Sequence, residues 1–139
     1  MPFEFKDHVA DIIFVAHGKT LEELLAEAGR ALFAAMLDID RVQPVVQTYF
    51  TVEGKDEEDL LYNFLEELLV YKDADSLAFS RFDVSVRPEN GKMIAEVVAE
   101  GEKISPEHNP RADVKAISWH GFRVWRDEKG YHAEVLLDL

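Results

Sequence analysis

Hydrophobic positions along the chain change period several times, and each change marks an element. Phe3 to Lys6 and Asp11 to Ala16 carry the density of apolar and β-branched side chains expected of strands, with a break at Asp7-His8-Val9-Ala10 and a stop at Gly18. Apolar residues then recur at Leu21, Leu24, Leu25, Ala28, Leu32, Ala35 and Met36, the spacing of an amphipathic helix over 20–36. Thr20-Leu21-Glu22-Glu23 opens it as a capping box, the Thr20 hydroxyl accepting from the Glu23 N–H and Glu23 reaching back to the Thr20 N–H. Asp38-Ile39-Asp40 and Pro44 mark a loop, and Val45 to Glu53 alternates as a strand closed by Gly54. A second helix is predicted from Asp56-Glu57-Glu58-Asp59, whose carboxylates complement the positive end of the helix dipole. Leu60, Leu61, Phe64, Leu65, Leu68 and Leu69 form its apolar stripe through about Tyr71.

Strands are predicted for the rest: Ala78 to Arg87, Lys92 to Glu100, Val114 to Trp125 and Tyr131 to Asp138. Hairpin-like turns fall at Glu89-Asn90-Gly91 and Asp127-Glu128-Lys129-Gly130. Two helices followed by a run of hairpin-connected strands define an α+β fold, a largely antiparallel or mixed sheet arrangement packed with two amphipathic helices. At 139 residues, with no linker, repeat or low-complexity stretch, the expectation is one domain over 1–139.

Composition changes the picture in two ways. There is no cysteine, which excludes disulfides, Cys-based zinc sites, iron–sulfur clusters and thiol catalysis. Asp and Glu number 28 against 15 Lys and Arg, a net charge of −13. That balance argues against a broad grip on nucleic acid, since each phosphate neutralised needs a cation, and it favours cations or a basic protein surface as partners. Maintaining solubility is the plainer use of the same charge. The opening Met1-Pro2-Phe3-Glu4-Phe5-Lys6 has no basic-then-apolar targeting pattern, and no apolar run approaches the roughly 20 residues that span a bilayer. A soluble, cytoplasmic protein is expected.

Candidate chemistry is sparse. Asp7, His8 and Asp11 sit in an apolar context just before a strand, where a carboxylate can project from a sheet end; a set of this kind favours a hard cation such as Ca²⁺, Mg²⁺ or Mn²⁺. Asp11 also fits a residue that stops edge pairing, and His8 one that caps a turn. Glu134-Val135-Leu136-Leu137-Asp138-Leu139 closes the sequence inside an apolar strand, so Leu136 and Leu137 should fix Asp138 and the Leu139 carboxylate, two oxygen donors suited to a calcium-like ion. A surface carboxylate after a core strand is the competing account. Lys115 falls in a strand pattern on the face shared by Ile117 and Trp119, where it either snorkels or pairs with a carboxylate. His108, in a loop bounded by Pro106 and Pro110, reads as part of a structural turn. Trp119, lacking a basic surround, reads as core or interface. Phosphate-binding glycine loops, a G-x-S-x-G elbow, an H-E-x-x-H helix and EF-hand spacing are all absent from the 139 residues, leaving little support for an independent hydrolase or nucleotide-using enzyme.

Taken in order, His8-Val9-Ala10-Asp11, Gly18-Lys19-Thr20-Leu21-Glu22-Glu23, Leu61-Tyr62-Asn63-Phe64-Leu65-Glu66-Glu67-Leu68, Pro106-Glu107-His108, Val114-Lys115-Ala116-Ile117 and Leu137-Asp138-Leu139 resemble the archease family along nearly the whole chain. Val9 stands where that family usually has Thr, and Ser118 where a Thr is common. The resemblance implies a non-enzymatic accessory protein of the tRNA-splicing RNA ligase RtcB, helping that ligase acquire guanylate from GTP and turn over repeatedly. It maps the functional positions onto Asp11, Asp138 and Lys115. The acidic pair resembles a calcium-type metal site, with Leu139, Asp7 and His8 as further contributors. A general chaperone without a metal and a small metal-dependent hydrolase are the competing functions.

Overall fold

The computed structural model of the chain describes residues 2–6 and 11–139. Its elements run β1 (Phe3–Lys6), β2 (Ile12–Gly18), α1 (Leu21–Met36), a 3-10 turn (Ile39–Arg41), β3 (Val46–Gly54), α2 (Glu57–Asp75), β4 (Leu77–Glu89), β5 (Lys92–Lys103), a second 3-10 turn (Pro106–His108), β6 (Ala116–Asp127) and β7 (Gly130–Asp138). Two sheets form, one ordered β1-β2-β7-β6 and the other β3-β5-β4, and the ladders in both are antiparallel. This is the α+β class expected from the order of elements. No helix among the described residues is long and apolar enough to cross a membrane.

Both helices start where the sequence predicts, α1 through the Thr20 half of the expected capping box. The Thr20 hydroxyl accepts the Glu23 N–H at 3.1 Å, and the Asp56 carboxylate accepts the Asp59 N–H at 2.9 Å. Each helix touches both sheets, α1 packing on β2 and β4, and α2 on β3 and β6. The core therefore lies around the helices: Leu24, Leu25, Leu32, Phe33, Leu60, Leu61, Phe64, Leu65 and Leu68 are inaccessible, and Phe14, Phe79, Val97, Val135 and Leu137 meet them from the sheets.

Two departures from the periodic pattern have local causes. Ala31 to Leu37 is buried on every side, not on one stripe, because the 109–111 segment closes over the end of α1. There the Arg111 N–H donates to the Met36 carbonyl at 2.8 Å, and the Arg111 guanidinium donates to the Ala34 carbonyl, satisfying groups a helix C-terminus leaves open. α2 runs a turn beyond Tyr71, to Asp75, and stops where Ser76 takes a left-handed conformation with φ 55° and donates its N–H to the Lys72 carbonyl. The turn between β4 and β5 is built from Asn90 at φ 51° and Gly91 at φ 78°, two successive left-handed residues that match the strand twist, as the hairpin signal implied.

At Gly101, β4 and β5 come so close beside the irregularity at Phe79/Arg81 that a β-carbon would collide with the Ala78 carbonyl oxygen. Gly101→Ala should therefore cost about 1–3 kcal/mol of unfolding free energy, as for other overpacked sites, read as a lowered midpoint in urea denaturation.

Candidate functional site

β7 is the centre of the site because it has a neighbour on each side. Ile12 of β2 pairs with Leu137, and Ala116 of β6 pairs with Asp138. Asp11, the residue before Ile12, and Lys115, the residue before Ala116, thus arrive at the same sheet end as Asp138 although they come from opposite flanks. The Lys115 N–H donates to the Asp138 carbonyl at 2.8 Å, so the backbone of the two residues is tied directly. Asp11 is half-buried and lines a cleft of about 300 Å³ with Lys6, Ile12, Ala34 and Arg111. The Lys115 side chain is exposed, and Leu139 is 47% exposed.

The strand expected from Val114 to Trp125 is shifted by two residues: β6 runs from Ala116 to Asp127. Val114 and Ile117, three residues apart, are both buried, so the strict alternation that placed Val114 with Ala116 on one face does not extend through this bend. The bend is held from α2. Lys72 is only 6% exposed, and its ammonium reaches the Val114 carbonyl at 2.7 Å, the Asp113 carboxylate at 2.6 Å and the Asp73 carboxylate at 2.9 Å. Burial opposes its charge, but the hydrogen bonds to Asp113 and Asp73 more than offset this and hold its pKa above the ordinary lysine value. Lys72 was missed in the sequence because a lysine near a helix C-terminus reads as a solvated residue completing the dipole.

The other support is aromatic. Between Ser118 and Arg123 the β6–β7 register shifts, and Gly121 at φ 69° lets β6 bulge outward. Trp119, on this bulge, stacks on Tyr62 of α2 with centroids 4.1 Å apart and planes 12° from parallel, and Phe122 meets both rings edge-on. Burial pushes the Tyr62 phenol up to about 12, aided by its hydrogen bond to Glu66 and by the negative charges of Glu66 and Asp138. Tyr62 thus stands within electrostatic reach of Asp138, while Trp119 remains 53% exposed.

His108 has the structural role expected of it. It is buried, its Nε2 lies 2.7 Å from the Glu102 carboxylate, and its Nδ1 accepts the Ser105 N–H at 3.0 Å. Glu102 is held below the usual carboxylate range by that imidazole and by the Gln43 N–H.

Asp7 and His8 lie outside the described residues. Among the described residues, no group of three His, Asp or Glu side chains is placed to hold a metal. Two aspartates brought to one sheet end by neighbouring strands are nonetheless hard oxygen donors, the type that suits Ca²⁺ or Mg²⁺ and not a soft metal.

Both the sequence and the fold have relatives among known proteins. The sequence profile of the Archease protein family matches residues 3–139. A protein archease of Pyrococcus furiosus is 38% identical over 139 residues, covering 99% of this chain and 98% of that one. A protein archease of Methanopyrus kandleri is 36% identical and covers both chains fully, at 100% each. The solution structure of Methanobacterium thermoautotrophicum protein 1598 superposes with a TM-score of 0.89 at 33% identity, covering 99% of each chain. The α+β fold is shared with that solved structure, and the chain belongs to the archease family.

Lys72→Ala should leave the buried Val114 carbonyl without its donor and lower stability by about 1–3 kcal/mol in chemical denaturation. Hydrogen exchange at Val114 and Lys115 should accelerate more than exchange in β3.

Proposed function

We propose that this archease-family chain is a non-enzymatic accessory protein for the tRNA-splicing RNA ligase RtcB, working in the cytoplasm and promoting GTP-dependent guanylylation and repeated turnover of that ligase. The observation that supports this most is the register of three strands, β2, β7 and β6, which brings Asp11, Lys115 and Asp138 to one sheet end. Such an end is rigid, because Leu137 and Ile117 behind it are buried and the Lys72 ammonium fixes the adjoining bend. Asp138 is set on β7, and Asp11 and Lys115 each adjoin the first residue of a strand; groups held by strands keep their positions better than groups on loops.

In this reading Asp11, Asp138 and Leu139 hold a divalent cation, Ca²⁺ in preference to Mg²⁺ or Mn²⁺, with Asp7 and His8 as further contributors. A bound cation would supply positive charge toward phosphate oxygens. The protein's own part is positional. Asp11 and Asp138 offer fixed oxygen donors, Lys115 presents an exposed ammonium beside them, and the overall charge of −13 favours approach to a basic, nucleotide-binding cleft of the ligase. Trp119 and Tyr62 flank that end and provide a flat aromatic surface for a protein partner.

Guanylylation of the purified ligase with labelled GTP, with and without this protein, tests the proposal. Asp11→Ala and Asp138→Ala should abolish the stimulation while leaving circular dichroism and melting unchanged, and Lys115→Ala should reduce it. Stimulation that survives both aspartate substitutions and chelation would overturn the metal-tip reading and favour a chaperone role; turnover of RNA or GTP by the protein alone would make it a hydrolase.

A further inference from the structure

The opposite end of the four-stranded sheet carries a second constellation that the ligase-facing site does not use. One rung of the ladder runs His17 on β2, His132 on β7 and Trp125 on β6, each pair in direct register. The Nδ1 atoms of His17 and His132 point at each other, 2.8 Å apart, and the His132 Nε2 lies 2.8 Å from the Asp127 carboxylate. His132 is buried, and Trp125 packs against its ring with centroids 5.4 Å apart. Asp127 is itself fixed, accepting the Lys129 N–H at 2.8 Å in the turn before β7. The two histidines line an open cleft of about 660 Å³ with Glu4, Glu23, Lys19 and Lys129.

We propose that His17 and His132 form a binding site for a late first-row divalent metal, Cu²⁺ or Ni²⁺, distinct from the acidic end of the sheet. The arrangement around His132 is the one that holds a metal-ligating imidazole. A carboxylate accepts the hydrogen bond from Nε2–H and fixes the tautomer, which leaves the Nδ1 lone pair free for a metal on the side of His17. With metal–nitrogen bonds of about 2.0–2.1 Å, two nitrogens 2.8 Å apart subtend nearly a right angle. A tetrahedral ion would need them about 3.3–3.4 Å apart at the same bond length. Right angles belong to adjacent positions of tetragonal or octahedral complexes, the geometry of Cu²⁺ and Ni²⁺ with nitrogen and oxygen donors.

Binding requires that the proton between the two Nδ1 atoms leave that position, that His17 take its Nε2–H form, and that the two rings turn so that their lone pairs converge on the ion beside the line joining them. Among the described residues no third His, Asp or Glu completes the set, so water fills the remaining positions. The cleft gives access to them, and the carboxylates of Glu4 and Glu23 balance Lys19 and Lys129 around it.

Copper(II) titration of the full chain, followed by calorimetry and electron paramagnetic resonance, tests the assignment. The expected result is one ion per chain at micromolar affinity with a tetragonal spectrum split by two imidazole nitrogens. His17→Ala should weaken binding by more than tenfold, and Asp127→Asn, which removes only the support for His132, by about tenfold. Asp11→Ala, Asp138→Ala and excess Ca²⁺ should change nothing, which separates this site from the ligase-facing one. Should His132→Ala prove unstable, His17→Ala, at a half-buried position, remains decisive. Equal affinity in wild type and His17→Ala, a spectrum with fewer than two coordinated imidazoles, or no binding at hundred-micromolar copper would overturn the proposal.

Discussion

Pairing of the first long strand with the last holds the remainder of the molecule in place. Seven successive rungs, from Ile12↔Leu137 to Gly18↔Tyr131, join β2 to β7. They bury Phe14, Ala16, Ala133, Val135 and Leu137 on one face against the helices. A slip of one residue would turn those side chains to solvent, so the register is strongly specified. The same register decides where polar groups at the ladder's ends come to rest. At one end it sets Asp11 beside Asp138, with Lys115 brought to the other side by the β6–β7 pairing; towards the other it sets His17 against His132.

The helices translate this pairing into a rigid body. α1 is enclosed by both sheets and by the Arg111 segment, and α2 reaches past its apolar stripe to place Lys72 under the bend before β6. A single buried ammonium there satisfies a backbone carbonyl that neither sheet nor helix can reach, and the exposed carboxylates of Asp113 and Asp73 compensate its charge. Removing the lysine would leave that carbonyl unpaired, which is the costly direction for a buried polar group. The acidic end of the sheet is thus supported from below by a cation on a helix.

Much of this was legible in the residues. Thr20 and Asp56 as helix starts, the Asn90-Gly91 hairpin, the strand periods and the α+β class all follow from local chemistry, which needs no knowledge of distant neighbours. His108 was legible as a turn residue for the same reason. The site was legible only in part. Asp11 and Asp138 each read as a carboxylate beside a strand, but their common sheet end depends on a pairing across more than a hundred residues, and only the resemblance to archeases joined them. Lys72, the Tyr62–Trp119 stack and the His17–His132 pair carried no signal of their own. Their meaning arises from partners on other elements, and the bulge at Gly121 that turns Trp119 toward α2 interrupts the alternation by which a strand face is read.

Calcium titration of the isotopically labelled protein, followed by amide resonances, addresses the central claim most directly. If the acidic sheet end is a cation-holding tip, the amides of Asp11, Lys115, Asp138 and Leu139 should shift together and saturably, and Asp138→Asn should remove the response with the rest of the spectrum intact. Shifts spread evenly over the acidic surface, or an unchanged response in Asp138→Asn, would contradict it.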